Sequence, residues 1–258
     1  MPEGDSIHSA ARRVGAALVG RPIVEIETPQ PRHALDRWAE RLGGRNVRSV
    51  DARGKHLFIR FDGDLTLHSH LRMTGWWGVF ERGARWRRSP KRAWLVLRAE
   101  GHEVVEFDGP VLELMTASRA RFDQQIASLG PDVLAPEFDG ERFLRRLRGD
   151  DPTRPIGDAL LDQRTIAGLG TIWRTEGCFA AGLDPWRATG EVTDDEALAV
   201  VEAVRPRMAR SAEGGFDRDA IAIYGKPGRP CPRCGGRVRS SGQGENNRRT
   251  YWCPGCQT

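Results

Sequence analysis

The chain opens on a helical repeat. Ile7, Ala10, Ala11, Val14, Ala17 and Leu18 fall on one face, with Asp5 ahead of them and Gly20 behind, so the pattern predicts a helix N-capped by Asp5. Beyond Ile23 the period shortens to that of strands. The segments Ile23–Ile26, Val47–Val50, His56–Phe61, Leu65–His70, Trp94–Arg98 and Glu103–Phe107 read as β, and Gly63 and Gly101 mark tight turns between paired strands. Up to about Leu114 this texture predicts roughly six to eight mostly antiparallel strands in a sandwich or flattened barrel. From Leu129 onward it gives way to helices, expected over Asp139–Arg148, Ile156–Leu161, Ile172–Phe179 and Asp194–Met208. Polar residues and two prolines between Thr116 and Pro136 interrupt both patterns and place the hinge there.

The chain has 258 residues, enough for two cores plus a small appendage. Forty basic residues against 35 acidic ones give a formal charge of +5 and a pI near 9.2, a modest bias toward an anionic partner. Arginine supplies nearly all of it, since only Lys55, Lys91 and Lys226 are lysines; compositional bias of the source accounts for that excess equally well. The basic stretch Arg82–Arg92 reads most simply as a solvated loop, with direct contact to a nucleic acid as the alternative. No long apolar run or secretory signal stands out, so the expectation is a soluble, cytoplasmic protein with no membrane partner and with Cys178 reduced.

The last 28 residues carry the sharpest signal. Cys231-Pro-Arg-Cys234 and Cys253-Pro-Gly-Cys256 are separated by 18 residues, the spacing of two knuckles that close around one structural zinc ion. A segment this short has too little apolar surface to hold itself together, which favours a metal, and the knuckle spacing disfavours disulfides. Between the knuckles lies a Gly- and Asn-rich hairpin with several guanidinium groups, suited to reach phosphate. His68 and His70 alternate on one strand face and could be mistaken for a metal pair, but four thiolates are available elsewhere.

Within the helical half, Gly168-Leu-Gly170 immediately precedes a helix, and its amides are candidates to bind a phosphate. No strand precedes it, which argues against a dinucleotide fold. Together with Met1-Pro-Glu-Gly4, Arg53-Gly-Lys-His-Leu57, His70-Leu-Arg-Met-Thr-Gly75, Leu129-Gly-Pro-Asp-Val-Leu134, Leu161-Asp-Gln163 and Tyr251-Trp-Cys-Pro-Gly-Cys-Gln257, this turn resembles the formamidopyrimidine-DNA glycosylase and endonuclease VIII family. The motifs run in family order over nearly the whole chain. The opening and the ending are more similar to the endonuclease VIII branch, actinobacterial forms included.

The resemblance implies an α+β fold. A β-rich N-terminal sandwich would span residues 1–120, a helical helix-two-turns-helix domain 121–222 and a zinc-finger β-hairpin 223–258, with a cleft between the first two. It implies a monomer acting on damaged DNA as a bifunctional glycosylase and lyase, on oxidised bases and pyrimidines foremost. The alternatives are an oxidised-purine glycosylase of the same fold and a binding module that does not cut. If Met1 is removed, Pro2 offers a secondary amine with a pKa of about 8, able to attack C1′ of the damaged nucleotide. Glu3 would protonate the sugar ring oxygen, Lys55 would contact phosphate and assist the lyase step, and Arg248 of the finger would grip the phosphates flanking the lesion, with Arg249 as its rival. By the same resemblance Arg72 and Met73 fill the gap left by an extruded nucleotide, while Gly168, Gly170, Thr171 and Arg174 bind the backbone. Cys231, Cys234, Cys253 and Cys256 hold the zinc. Four positions depart from the family pattern. Thr171 replaces an asparagine, Ser6 a carboxylate, Thr74 an aromatic wedge and Ser128 a basic contact, changes that bear on affinity and substrate preference. The stretch from Ser211 to Ile223 reads either as a loop that caps the extruded base or as a connector.

Overall fold

A computed structural model of the chain describes residues 2–33 and 35–258. They divide into two compact units, one formed by Pro2 with residues 6–127 and the other by residues 3–5 with 128–258. The chain therefore passes from one unit to the other at Pro2–Glu3, at Asp5–Ser6 and at Ala127–Ser128. Met1, whose removal the nucleophile reading requires, lies outside the described residues.

The first helix, α1 (Gly4–Leu18), begins two residues earlier than one capped by Asp5 would. Asp5 is thus inside the first turn and not the cap; its carboxylate accepts a hydrogen bond of 2.5 Å from the Ser211 hydroxyl, a partner 206 residues away. Then follow β1 (Glu25–Glu27), α2 (Trp38–Leu42), β2 (Val47–Arg53), β3 (His56–Phe61), β4 (Leu65–His70), β5 (Trp76–Glu81), β6 (Ala93–Ala99), β7 (His102–Phe107), β8 (Val111–Thr116), α3 (Ala117–Phe122) and α4 (Gln124–Ser128). The strands form two antiparallel sheets, ordered β1-β6-β7-β5 and β2-β3-β4-β8. Leu57, Ile59 and Leu67 of one sheet share a core with Trp77, Leu95, Leu97 and Val104 of the other and with Ile7, Val14 and Leu18 of α1. That core makes the unit a sandwich, as expected.

Two strands escaped the sequence pattern. In β5 the rings of Trp76 and Phe80 fold over Gly78, where any Cβ would collide with them, so the alternation is broken by a glycine that the strand needs. In β8, Asp108-Gly-Pro immediately upstream reads as loop and masks the short pairing with β4.

The second unit contains α5 (Gly140–Arg148), α6 (Ile156–Ala159), α7 (Thr171–Ala181), α8 (Asp194–Gly214), β9 (Arg239–Gln243) and β10 (Arg248–Trp252). Local chemistry fixes the helix ends. Asp139 caps α5 through the Arg142 amide, Thr193 and Glu196 form a reciprocal capping box at the start of α8, and Gly182, at φ 74°, ends α7. Gly177 lets α8 approach α7 closely, for a Cβ there would stand 2.8 Å from methyls of Val200 and Val204. Because α8 continues to Gly214, the loop expected from Ser211 starts only at Gly215. No helix among the described residues is long and apolar enough to cross a membrane.

One buried carboxyl stands out in the sandwich. Glu106 on β7 is fully buried against Gly109; Ser69 donates to its Oε1 at 2.5 Å, while Oε2 has no hydrogen-bond partner among the described residues. Burial pushes this carboxyl up to about 8 from an ordinary 4.5, against the smaller opposing effect of Ser69. The folded protein therefore keeps a proton that the unfolded chain releases. Stability should decline as pH rises from about 4.5 to about 8, by on the order of a few kcal/mol, and level off above. Glu106→Gln should remove this slope, raising Tm at pH 8 relative to the parent while leaving it nearly unchanged at pH 5. Parallel curves of Tm against pH for the two proteins would contradict the assignment.

Candidate active site and nucleic-acid interface

Glu3 is 2% exposed, and its carboxylate lies at the N-terminus of α7. The amides of Gly170, Ile172 and Trp173 donate to it at 3.0, 2.9 and 3.3 Å. The first turn of a helix has amides with no intrahelical acceptor and a partial positive charge, so a carboxylate from elsewhere in the chain satisfies both. The neighbouring backbone is equally close: Gly4 donates its amide to the Gly168 carbonyl at 2.9 Å, and a Cβ on Gly4 would stand 2.9 Å from the Gly168 Cα. Gly170 has room for nothing larger, because a Cβ there would overlap the Glu3 carboxyl group.

These contacts revise the reading of the Gly168-Leu-Gly170 turn. The amides of its two glycines are not open to a phosphate: Gly170 gives its amide to Glu3, and Gly168, at φ 102°, gives its own to Gln163 Oε1 at 3.0 Å. Gln163 also donates to the Leu169 carbonyl, so the Leu161-Asp-Gln163 motif braces the turn from beneath. Thr171 is 6% exposed, and its buried hydroxyl finds no hydrogen-bond partner among the described residues.

Arg174 is the clearest correction. Expected to bind DNA, it is instead completely buried. Its guanidinium donates to the Gly157 carbonyl at 3.0 Å, to Gln243 Oε1 at 2.6 Å and to the Arg249 carbonyl at 3.1 Å. Gln243 in turn donates to the Pro185 carbonyl and accepts from Thr250. The guanidinium thus ties α7 to both strands of the finger hairpin. Burial lowers its pKa; its two terminal nitrogens have three acceptors and its Nε is buried without a partner among the described residues, so it offers no exposed donor to a phosphate.

In the hairpin, Arg248 pairs with Gln243 across the strands and therefore shares a face with Gln243 and Thr250, both buried toward α7. Arg249 points to the opposite face, and both arginines are exposed. Farther along, the thiols of Cys231 and Cys256 lie 3.7 Å apart, those of Cys234 and Cys253 3.5 Å, and all four ligand atoms lie within 4.8 Å of one another. A tetrahedral ion with bonds of about 2.3 Å requires edges of about 3.8 Å, whereas a disulfide requires about 2.05 Å, so the thiol set fits a metal and not a bridge.

In the sandwich unit, Pro2 is partly buried and precedes α1. Gly54, at φ 59°, and Lys55 form the two-residue turn between β2 and β3, with Lys55 half-buried. Arg72, at φ 48°, and Met73, 55% exposed, occupy the turn after β4, so Met73 projects outward and is not part of the strand core. His56 was not singled out by the sequence, yet its Nδ1 lies 2.8 Å from His68 Nε2 and its ring meets that of His70 edge-on, 4.7 Å between centroids. Burial, with the neighbouring histidine and arginine charges behind it, pushes His56 down to about 2 and His70 to about 4. Neutral rings packed on one another account for the alternation of His68 and His70 without a metal.

Two models of the formamidopyrimidine-DNA glycosylase family match the sequence, that of the N-terminal domain over residues 1–112 and that of the H2TH domain over residues 129–219. The whole chain is 42% identical to 94% of a probable endonuclease 8 2 from Streptomyces coelicolor. It is 36% identical to 99% of a DNA-(apurinic or apyrimidinic site) lyase from Mycolicibacterium smegmatis. Its fold matches that of the Lactococcus lactis protein Fpg (MutM) solved with an oxidised-pyrimidine DNA, with TM-score 0.85 and 25% identity over the full length of both chains.

If Arg174 is an internal tie, Arg174→Met should lower the unfolding free energy by about 3 kcal/mol, because carbonyls of Gly157 and Arg249 lose their donor in a buried site. The dependence of DNA affinity on salt should keep its parental slope. A variant of parental stability with a shallower slope would return Arg174 to the DNA interface.

Proposed function

The chain belongs to the formamidopyrimidine-DNA glycosylase family, and from that membership we propose that it is a bifunctional DNA glycosylase and abasic-site lyase of base excision repair. Its substrates in this reading are oxidised bases, with pyrimidines preferred as in the endonuclease VIII branch, and its partner is damaged DNA engaged by a single copy of the chain.

The observation that carries the reading is the placement of Glu3. A carboxylate one residue after Pro2 is held by three amides at the start of α7, where a Cβ on Gly4 would meet the Gly168 backbone and one on Gly170 would meet the carboxyl group itself. Three donors at fixed positions leave the carboxyl little freedom to turn, as a group that must hand over a proton at one place requires. With Met1 removed, the Pro2 nitrogen attacks C1′ of the damaged nucleotide while Glu3 protonates the sugar ring oxygen. The bond from C1′ to the base breaks, and the base leaves with the bonding pair and takes up the proton that the Pro2 nitrogen releases. The C1′–O4′ bond of the protonated ring then opens to a 4′ hydroxyl as the nitrogen lone pair forms the iminium between Pro2 and C1′. The cationic nitrogen acidifies the C2′ proton; its removal expels the 3′ phosphate, and a second elimination expels the 5′ phosphate. Lys55, in its tight turn, and Arg248, on the hairpin face toward α7, are assigned to the phosphates on either side of the lesion. Met73 and Arg72, on an exposed turn, take the place of the extruded nucleotide in the stack. Zinc is the metal the four thiols would hold, and its part is to close the hairpin that carries Arg248.

Borohydride should freeze a covalent adduct between the protein and an oligonucleotide containing an oxidised pyrimidine, more strongly than with an oxidised purine. Pro2→Gly should weaken the adduct, and acetylation of the N-terminus should abolish it. Undiminished trapping by an acetylated or Met-retaining protein would remove Pro2 from the mechanism.

A further inference from the structure

The basic stretch Arg82–Arg92 is a built feature and not a slack loop. Trp86, at its middle, turns inward, donating its indole N–H to Glu103 and packing its ring 5.6 Å from that of Phe107 and 6.5 Å from that of Phe80. The residues on either side of a side chain pinned in this way are turned out, and Arg85 and Arg87 are both exposed. Residues 84–90 curve around an open concavity of about 510 Å3.

The cations of the loop fall into two groups. Arg82 pairs with Glu25, while Arg88 and Arg92 both pair with Asp108. Arg85, Arg87 and Lys91 have no carboxylate partner among the described residues. The Arg87 charge also acts on Arg13 of α1, which likewise has no carboxylate partner among the described residues, and after burial it is the next cause that lowers the pKa of Arg13. Like charges that act on each other in this way are relieved by an anion bound near both.

The loop is also joined to the turn that enters the stack. Arg88 donates to the Thr74 carbonyl at 3.0 Å, and its guanidinium lies 5.2 Å over the Trp76 ring, immediately after that turn. Basic arm and wedge are therefore one rigid piece of the sandwich unit. Arg85 and Arg87 stand on the same loop as Arg88, which bonds the residue after Met73.

We propose that the Arg82–Arg92 loop is a second nucleic-acid contact, in which Arg85 and Arg87, with Arg13 beside them, grip phosphodiesters flanking the lesion. This inference rests on the glycosylase reading above. Each neutralised phosphate contributes about 0.9 to the slope of log affinity against log salt, so taking away two arginines that each hold one should flatten the slope by about 1.8. Arg85→Ala/Arg87→Ala should therefore bind a duplex with a stable abasic-site analogue roughly 10- to 100-fold more weakly at 0.1 M salt, with the slope flattened by that amount. Arg85→Lys/Arg87→Lys should keep the parental slope. A charge-matched control on the same unit, Arg37→Ala/Arg41→Ala, should change the slope by less than half as much. An Arg85→Ala/Arg87→Ala protein with the slope of the parent, or of the control, would overturn the proposal while leaving the glycosylase reading intact. Failure of the unaltered protein to bind either the abasic or the undamaged duplex would overturn both.

Discussion

A single buried carboxylate organises the second unit from its edge. Glu3 reaches the unit as part of a three-residue strand of chain, and the amides of Gly170, Ile172 and Trp173 are what hold it there. An unpaired carboxylate this deeply buried would be costly, and so would a helix N-terminus with no acceptor; each solves the other's problem. The role assigned to Glu3 follows from the fact that the residue satisfying the helix is also the neighbour of the chain's second residue.

The same helix serves as the anchor for the rest of the unit. One turn on from the Glu3 amides, Arg174 holds both strands of the hairpin, and two residues later Glu176, also fully buried, accepts from the amides of Ala222, Ile223 and Tyr224 at 2.8 to 3.0 Å. Arg207 of α8 donates to the same carboxylate at 3.0 Å. The finger and the loop before it are thus fixed by polar groups of one helix that water never reaches. Most members of this network are satisfied, and Arg174 Nε is the one buried guanidinium nitrogen that finds no hydrogen-bond partner among the described residues. A metal held by the four thiols, which lie within 4.8 Å of one another, would add closure at the far end of the hairpin.

Much of this was legible in the sequence, and the limits have a common cause. The strands His56–Phe61 and Leu65–His70 were read with their observed bounds because an apolar run, a glycine turn at Gly63 and alternation agree. The knuckles were legible because metal spacing is a local constraint. What escaped was non-local polarity. Arg174 and Glu176 look like parts of an exposed helical turn, since charged residues are seldom buried, and only partners 17 to 75 positions away explain why these are. The Gly168-Leu-Gly170 turn looked like a phosphate cradle for the same reason: its acceptor is a carboxylate 167 positions distant. Asp5 looked like a cap because its true donor, Ser211, lies at the other end of the chain.

Gly170→Ala addresses the Glu3 carboxylate most directly. At φ −128° and ψ −165° an alanine fits the backbone, so the substitution acts only through its Cβ, which occupies the space of the Glu3 carboxyl group. Excision of an oxidised base should fall by on the order of 100-fold, since it needs the proton that Glu3 delivers. Cleavage of a pre-formed abasic site, which has no base to expel, should fall far less. Excision at the unaltered rate, or an equal loss in the two reactions, would contradict the account.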